Sequence, residues 1–141
     1  MSTSSDCLSM SMLASPAAPG LARTLTEARI LKWGDSHILD DAFLIVSELI
    51  TNAITETPGK QIHFRLTRDR IYLVVAVWDS SPRTPHIKQP TPTTPDTLDL
   101  SPAHWDDNGG WGLPLVTALA IDCGCKQDPR GGKWVWARLK P

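Results

Sequence analysis

The sequence predicts an α+β fold, a two-layer α/β sandwich with helices on one face of a mixed, mostly antiparallel sheet. The predicted elements run helix, helix, strand, strand, proline-rich loop, helix, strand, strand, an order typical of this class. The second helix has an apolar face so wide that it must be largely buried against a sheet. A chain of 141 residues buries about two-thirds of its unfolded surface, so its core needs no disulfide or structural metal.

Helical periodicity begins after a stretch that interrupts its apolar residues with Ser and Pro. We expect residues 1–19 to be a disordered head and residues 20–141 to form a single domain. The first helix is predicted over residues 23–33, with Gly34 as its C-terminal stop. Asp35 or Ser36 caps the second helix, whose apolar residues recur at steps of three and four until Pro58-Gly59.

Strand patterns follow the two helices. Residues 62–66 alternate apolar and polar side chains, and residues 71–78 are β-rich enough for a central strand. A third helix is predicted over residues 113–121. The last two strands, at 122–127 and 133–139, are joined by a Pro-Arg-Gly-Gly turn typical of a hairpin.

Six of the twelve prolines fall between residues 81 and 108. Proline neither propagates a helix nor donates to a sheet ladder. Loops of more than about 15 residues in a compact domain are usually functional lids or disordered. We therefore predict a lid over residues 81–108.

The charge balance argues against several classes of partner. Lys and Arg number 14 against 15 Asp and Glu, whereas general nucleic-acid binders carry a basic excess or patch. The sequence contains no apolar run of 18 residues, about the length needed to span a bilayer. The first 20 residues lack the pattern of a secretory signal peptide. We expect no direct nucleic-acid partner, no membrane association, and a cytoplasmic protein with reduced thiols.

The first candidate cluster lies on the second helix. Glu48 and Asn52 stand four residues apart and share one helix face. Taken alone, this pair is consistent with a solvated helix edge. It is equally suited to holding a hydrated magnesium ion and to orienting the group that attacks a phosphate.

Two further clusters lie on either side of the predicted lid. Asp79 follows a buried strand, where it is either a turn former or an acceptor for an exocyclic amine such as that of adenine. Glycines at 109, 110 and 112 lead directly into the third helix. Such a run is either a flexible hinge or a phosphate cradle in front of a helix N-terminus.

In this order the clusters resemble the GHKL ATPase superfamily over residues 22–139. Within it, the phrases VSELITNA (46–53), GGWGLPLV (109–116) and GGKWVWARL (131–139) are similar to small actinobacterial regulators related to anti-sigma-factor serine kinases. The resemblance implies the Bergerat ATP-binding fold, with ATP and Mg²⁺ as cofactors.

By position, the resemblance implies a role for each cluster. Glu48 would be the general base, Asn52 the magnesium ligand and Asp79 the acceptor from the adenine amine. The residues implied around the phosphates are Gly109, Gly110, Gly112 and Leu113.

The resemblance also implies partners: a sigma factor that the protein binds, and an anti-anti-sigma protein on which it phosphorylates a serine. A homodimer is a further implied assembly. Two departures from the family pattern leave an alternative open, since Glu56 stands where many relatives have His, and Ser81 where Asp-x-Gly is common. The alternative is a non-catalytic interaction module with a degenerate nucleotide site. A third hypothesis is a detached kinase domain that phosphorylates a histidine of another protein.

Overall fold

Two layers make up the described part of the chain, residues 6–82 and 113–141 of a computed structural model. The elements in chain order are β1 (Asp6–Leu13), α1 (Ala18–Trp33), a 3-10 turn (Ser36–Ile38), α2 (Leu39–Glu56), β2 (Gln61–Arg68), β3 (Leu73–Asp79), α3 (Leu113–Leu119), β4 (Asp122–Gln127) and β5 (Lys133–Leu139). The helices pack against a five-stranded sheet, so the predicted α+β sandwich is confirmed.

The strand order is β1-β2-β3-β5-β4, and β3 occupies the centre. Every pairing among these described strands is antiparallel, so the predicted mixed sheet is wrong for them. For two of the four pairings, β2–β3 and β4–β5, the physical reason is the connectivity, because their short turns can join only antiparallel neighbours. The bounds predicted for β4 and β5 agree with the structure.

The predicted disordered head is wrong for residues 6–19. Residues 6–13 form β1 and pair along the whole of β2. Side chains of β1 alternate, with Met12 in the core and Cys7, Ser9 and Ser11 exposed. Helix α1 then begins at Ala18, five residues earlier than predicted, because Pro19 lies in its first turn, where a missing N–H costs nothing.

Helix α2 is the central element of the helical layer. Its fully buried side chains include Ile45, Leu49 and Ile50, and it contacts α1, α3, β3 and β5. The stop at Gly34 before it is confirmed by a left-handed φ of 80°. Neither Asp35 nor Ser36 caps α2 as predicted, because a 3-10 turn intervenes and the helix begins at Leu39.

Antiparallel pairing of β3 with β5 places the end of one strand beside the start of the other. Asp79 is the register partner of Lys133. Lys133, Val135, Ala137 and Leu139 face the helices, whereas Trp134 and Trp136 lie half-buried on the opposite face. Of the predicted lid, Ser81 and Pro82 belong to the described residues, and its remaining residues, 83–108, lie outside them. Within the ranges 6–82 and 113–141, no helix is long and apolar enough to cross a membrane.

Candidate functional site

A polar stripe runs along the C-terminal half of α2. Glu48, Asn52 and Glu56 follow one another at four-residue steps, so they lie on the same side of the helix. Their Cα atoms span about 12 Å along the helix axis. Asn52 is buried at 7% exposure, and Glu48 is half-buried. The shared face predicted for Glu48 and Asn52 is therefore present, and Glu56 extends it.

Asp79 lies at the end of β3, and only 1% of it is exposed. Its Oδ1 atom accepts a hydrogen bond from Lys133 Nζ at 2.9 Å and another from the Ser81 backbone N–H at 2.9 Å. Its Oδ2 atom is buried and has no hydrogen-bond partner. Asp79 thus shapes the turn through one oxygen, while the other oxygen is left to accept a donor.

Lys133 connects the stripe on α2 with Asp79. Its ammonium lies 3.4 Å from Glu56 Oε1 and 2.9 Å from Asp79 Oδ1. Lysine is almost never fully buried unless it is paired, and the Lys133 side chain is 1% exposed. The two ion pairs bring the C-terminal end of α2 and the start of β5 together at the end of β3.

Sequence reasoning missed Lys133. Its partners lie 54 and 77 residues away along the chain, so no local motif brings the three together. One signal was available, because Lys133 shares the two-residue period of Val135, Ala137 and Leu139. That period places a lysine on the core side of the sheet.

Burial raises the pKa of the Asp79 carboxyl above its usual value of 3.8. The hydrogen bond and positive charge of Lys133 act in the opposite direction, as does the Ser81 N–H, while the negative charge of Glu56 adds to the rise. Desolvation therefore outweighs pairing at this carboxyl. A ligand N–H donated to Oδ2 would favour the ionised form.

The third cluster is largely outside the described residues. Gly109, Gly110 and Gly112 all fall there, so the structure does not place these three predicted phosphate-binding residues. Leu113 begins α3, as the sequence predicts, and α3 ends at Leu119 rather than at residue 121. Because α3 contacts α2, the chain re-enters the described structure beside the helix that has the polar stripe.

The described residues fit a nucleotide with a magnesium ion. Asn52 Nδ2 is a buried donor without a partner, and Asp79 Oδ2 is a buried acceptor without one. Leaving such groups unpaired costs about 1–3 kcal/mol each, and a ligand with both an acceptor and a donor would relieve both. The described residues contain no group of three His, Cys, Asp or Glu side chains that could hold a metal. Mg²⁺ does not require such a group, because one or two side chains together with substrate phosphates usually hold it.

The negative charge of Glu56, which the sequence places near the expected phosphates, is compensated in the structure. Its carboxylate lies 3.4 Å from the Lys133 ammonium. The two ends of the stripe therefore differ in their charged groups. At one end, Glu48 offers a hydrogen-bond acceptor. At the other end, Glu56 forms an ion pair with Lys133, which also pairs with Asp79.

Comparison with family models matches residues 15–139 to the histidine kinase-like ATPase domain. No curated protein matches the chain. A domain of this type implies ATP binding, usually with Mg²⁺. The match covers most of the 141 residues, and the described helices and antiparallel sheet have the architecture of that domain. The chain therefore belongs to the histidine kinase-like ATPase domain family, within the GHKL superfamily.

Proposed function

We propose that this protein is an ATP-binding regulator of the anti-sigma type, which binds a sigma factor and phosphorylates a serine of an anti-anti-sigma partner. The observation that carries the nucleotide part is the pair of buried, unpartnered atoms on facing elements, Asn52 Nδ2 on α2 and Asp79 Oδ2 on β3. The regulatory part rests on the motif phrases in residues 46–53, 109–116 and 131–139.

In this proposal each described side chain has a task. The amide oxygen of Asn52 would ligate Mg²⁺, which would neutralise charge on the phosphates, and its orphaned Nδ2 would donate to a phosphate oxygen. Asp79 Oδ2 would accept from the adenine amine. The half-buried side chain of Glu48 has no hydrogen-bond or ion-pair partner among residues 6–82 and 113–141. In this proposal its carboxylate takes the proton of the attacking hydroxyl. Gly109, Gly110, Gly112 and Leu113 are proposed to lie around the phosphates.

The direct test is titration of the full chain with a fluorescent ATP analogue, with and without Mg²⁺. We expect saturable binding that Mg²⁺ strengthens and that unlabelled ATP competes away. An absence of binding at millimolar nucleotide would refute the proposal.

Single substitutions separate binding from turnover. Asn52→Ala should abolish the magnesium-dependent part of binding. Glu48→Ala should leave nucleotide affinity within about threefold while lowering phosphoryl transfer by about 10²–10⁴-fold, the usual contribution of a general base. Thr51→Ala is the matched control, because Thr51 lies on α2 between them with an exposed side chain. A Glu48→Ala protein with unchanged turnover would remove Glu48 from the mechanism.

One observation favours the alternative, an interaction module with a degenerate nucleotide site. Asp79 already has an internal cationic partner in Lys133, so the fold holds this carboxylate without a ligand. The alternative predicts a partner complex whose affinity does not change when ATP is added. Capture of partners from lysate with tagged protein, in the presence and absence of ATP, distinguishes the two functions.

A further inference from the structure

The two oxygens of the Asp79 carboxylate have different surroundings. Oδ1 receives two donors, Lys133 Nζ and the Ser81 N–H, each at 2.9 Å. A carboxylate oxygen has two lone pairs, so these donors use the hydrogen-bonding capacity of Oδ1. Oδ2 is equally buried and receives none. A ligand therefore meets a carboxylate with a single available acceptor atom.

This asymmetry discriminates between purine bases on chemical grounds. Adenine presents one exocyclic amine beside a ring nitrogen that accepts. Guanine presents two neighbouring donors, its N1–H and its exocyclic amine, which together suit both oxygens of one carboxylate. With Oδ1 occupied, guanine cannot make both of these bonds, and one of its donors would be buried without a partner.

We propose that Lys133 is a specificity-determining residue of the base site, because it occupies Asp79 Oδ1 and so restricts Asp79 to bases that present one donor. This inference rests on the proposed nucleotide-binding function. The position of Lys133 is well fixed for the task. Its side chain is 1% exposed, its ammonium also lies 3.4 Å from Glu56 Oε1, and its backbone is the register partner of Asp79.

The first experiment compares ATP, GTP and ITP as competitors of the fluorescent analogue on the unmodified chain. ATP should bind at least about tenfold more tightly than GTP, the order of effect when one buried group loses its hydrogen bond. ITP should also bind at least about tenfold more tightly than GTP, because hypoxanthine presents one donor to Oδ2 whereas the extra amine of GTP is buried without an acceptor. Equal affinity for ATP and GTP, or GTP binding as tightly as ITP, would overturn the inference.

The second experiment uses Lys133→Met, which keeps most of the side-chain volume and removes the ammonium. Oδ1 then becomes available, and the preference for ATP over GTP should fall to about threefold or less. Arg138→Met is the matched control, since it removes a cation and its ion pair from the same strand at a half-exposed position away from Asp79. That control should keep the full preference. A folded Lys133→Met protein with unchanged preference would show that selectivity arises elsewhere.

Folding of Lys133→Met is checked by circular dichroism, because breaking a buried ion pair can destabilise a protein by about 3–5 kcal/mol. If this variant does not fold, the GTP and ITP comparison on the unmodified chain still decides the inference. Failure of the proposed function has a different signature, since the unmodified chain would then bind no ATP, and this inference would fall with it.

Discussion

At the scale of single residues, burial of Asp79 has a measurable consequence for stability. Its pKa is raised in the folded protein, so the folded state binds the proton more tightly than the unfolded state does. The contribution of Asp79 to the free energy of unfolding is therefore fully present below about pH 3.8, its unfolded value. This contribution is lost as pH rises through the folded pKa.

We expect this loss to appear in the difference in Tm between the unmodified protein and Asp79→Asn, followed from pH 3 to pH 8. As pH rises, the Tm of the unmodified protein should fall relative to that of Asp79→Asn, because the amide of the variant does not titrate. Four other carboxyls have a lowered pKa and oppose this trend in the absolute stability of each protein: Asp6, Asp69, Asp122 and Asp128. Because both proteins contain these carboxyls, their effects cancel in the Tm difference. A difference that moves the other way would show that pairing with Lys133 outweighs desolvation.

The residues of the candidate site differ in how far the sequence could predict them. The shared face of Glu48 and Asn52 could be predicted, because a spacing of four residues places two side chains on one side of a helix whatever the tertiary structure. The sequence could not predict that Asp79 Oδ2 is left available, because this depends on Lys133, which the β3–β5 pairing places beside Asp79. Local spacing carries no information about a partner 54 residues away along the chain.

At the scale of elements, the β4–β5 hairpin determines where Lys133 lies. Gly132 precedes Lys133 with a φ of 81°, and a Cβ atom there would overlap the Asp79 carbonyl oxygen and lie 2.7 Å from the Trp78 ring. Only glycine permits this approach of the turn to the end of β3. The Trp78 Nε1–H, which donates to the Gly131 carbonyl at 3.0 Å, holds the same turn.

Gly132→Ala should therefore destabilise the protein more than an alanine at another left-handed glycine. Gly59→Ala is the matched control, because Gly59 has a φ of 79° but open space where the alanine methyl group would lie. Both variants incur the left-handed backbone cost, and the steric overlap should add about 1–3 kcal/mol at Gly132. Urea denaturation monitored by tryptophan fluorescence measures both. Equal losses would show that the turn moves away from β3 without cost.

Elements differed in predictability for a physical reason. The bounds of β4 and β5 were predictable because a glycine-containing turn separates two short runs with strand character. Strand β1 was missed although Leu8, Met10 and Met12 alternate with Cys7, Ser9 and Ser11. The serines and the following proline gave this stretch a composition typical of disordered segments, whereas the two-residue period of its apolar side chains indicated a strand.

At the scale of the whole molecule, β1 connects the sheet to the helical layer. Asp6 accepts a hydrogen bond from Trp33 Nε1 at 3.0 Å and pairs with Arg29 at 3.3 Å, both on α1. On its other side, β1 covers the edge of β2 over eight register pairs. Residues 6–13 are thus part of the fold that supports the site, although the family match begins at residue 15.

Deletion of residues 1–12 should destabilise the whole domain and expose the β2 edge. Met12 is 8% exposed, and Leu8 and Met10 pack partly against the core. Losing these side chains should cost about 3 kcal/mol or more, which corresponds to a fall in Tm of roughly 10 °C. An uncovered strand edge also pairs readily with other chains, so we expect concentration-dependent self-association by light scattering. Deletion of residues 1–5 is the control and should change neither quantity, whereas a monomeric, equally stable 1–12 deletion would show that β1 is dispensable.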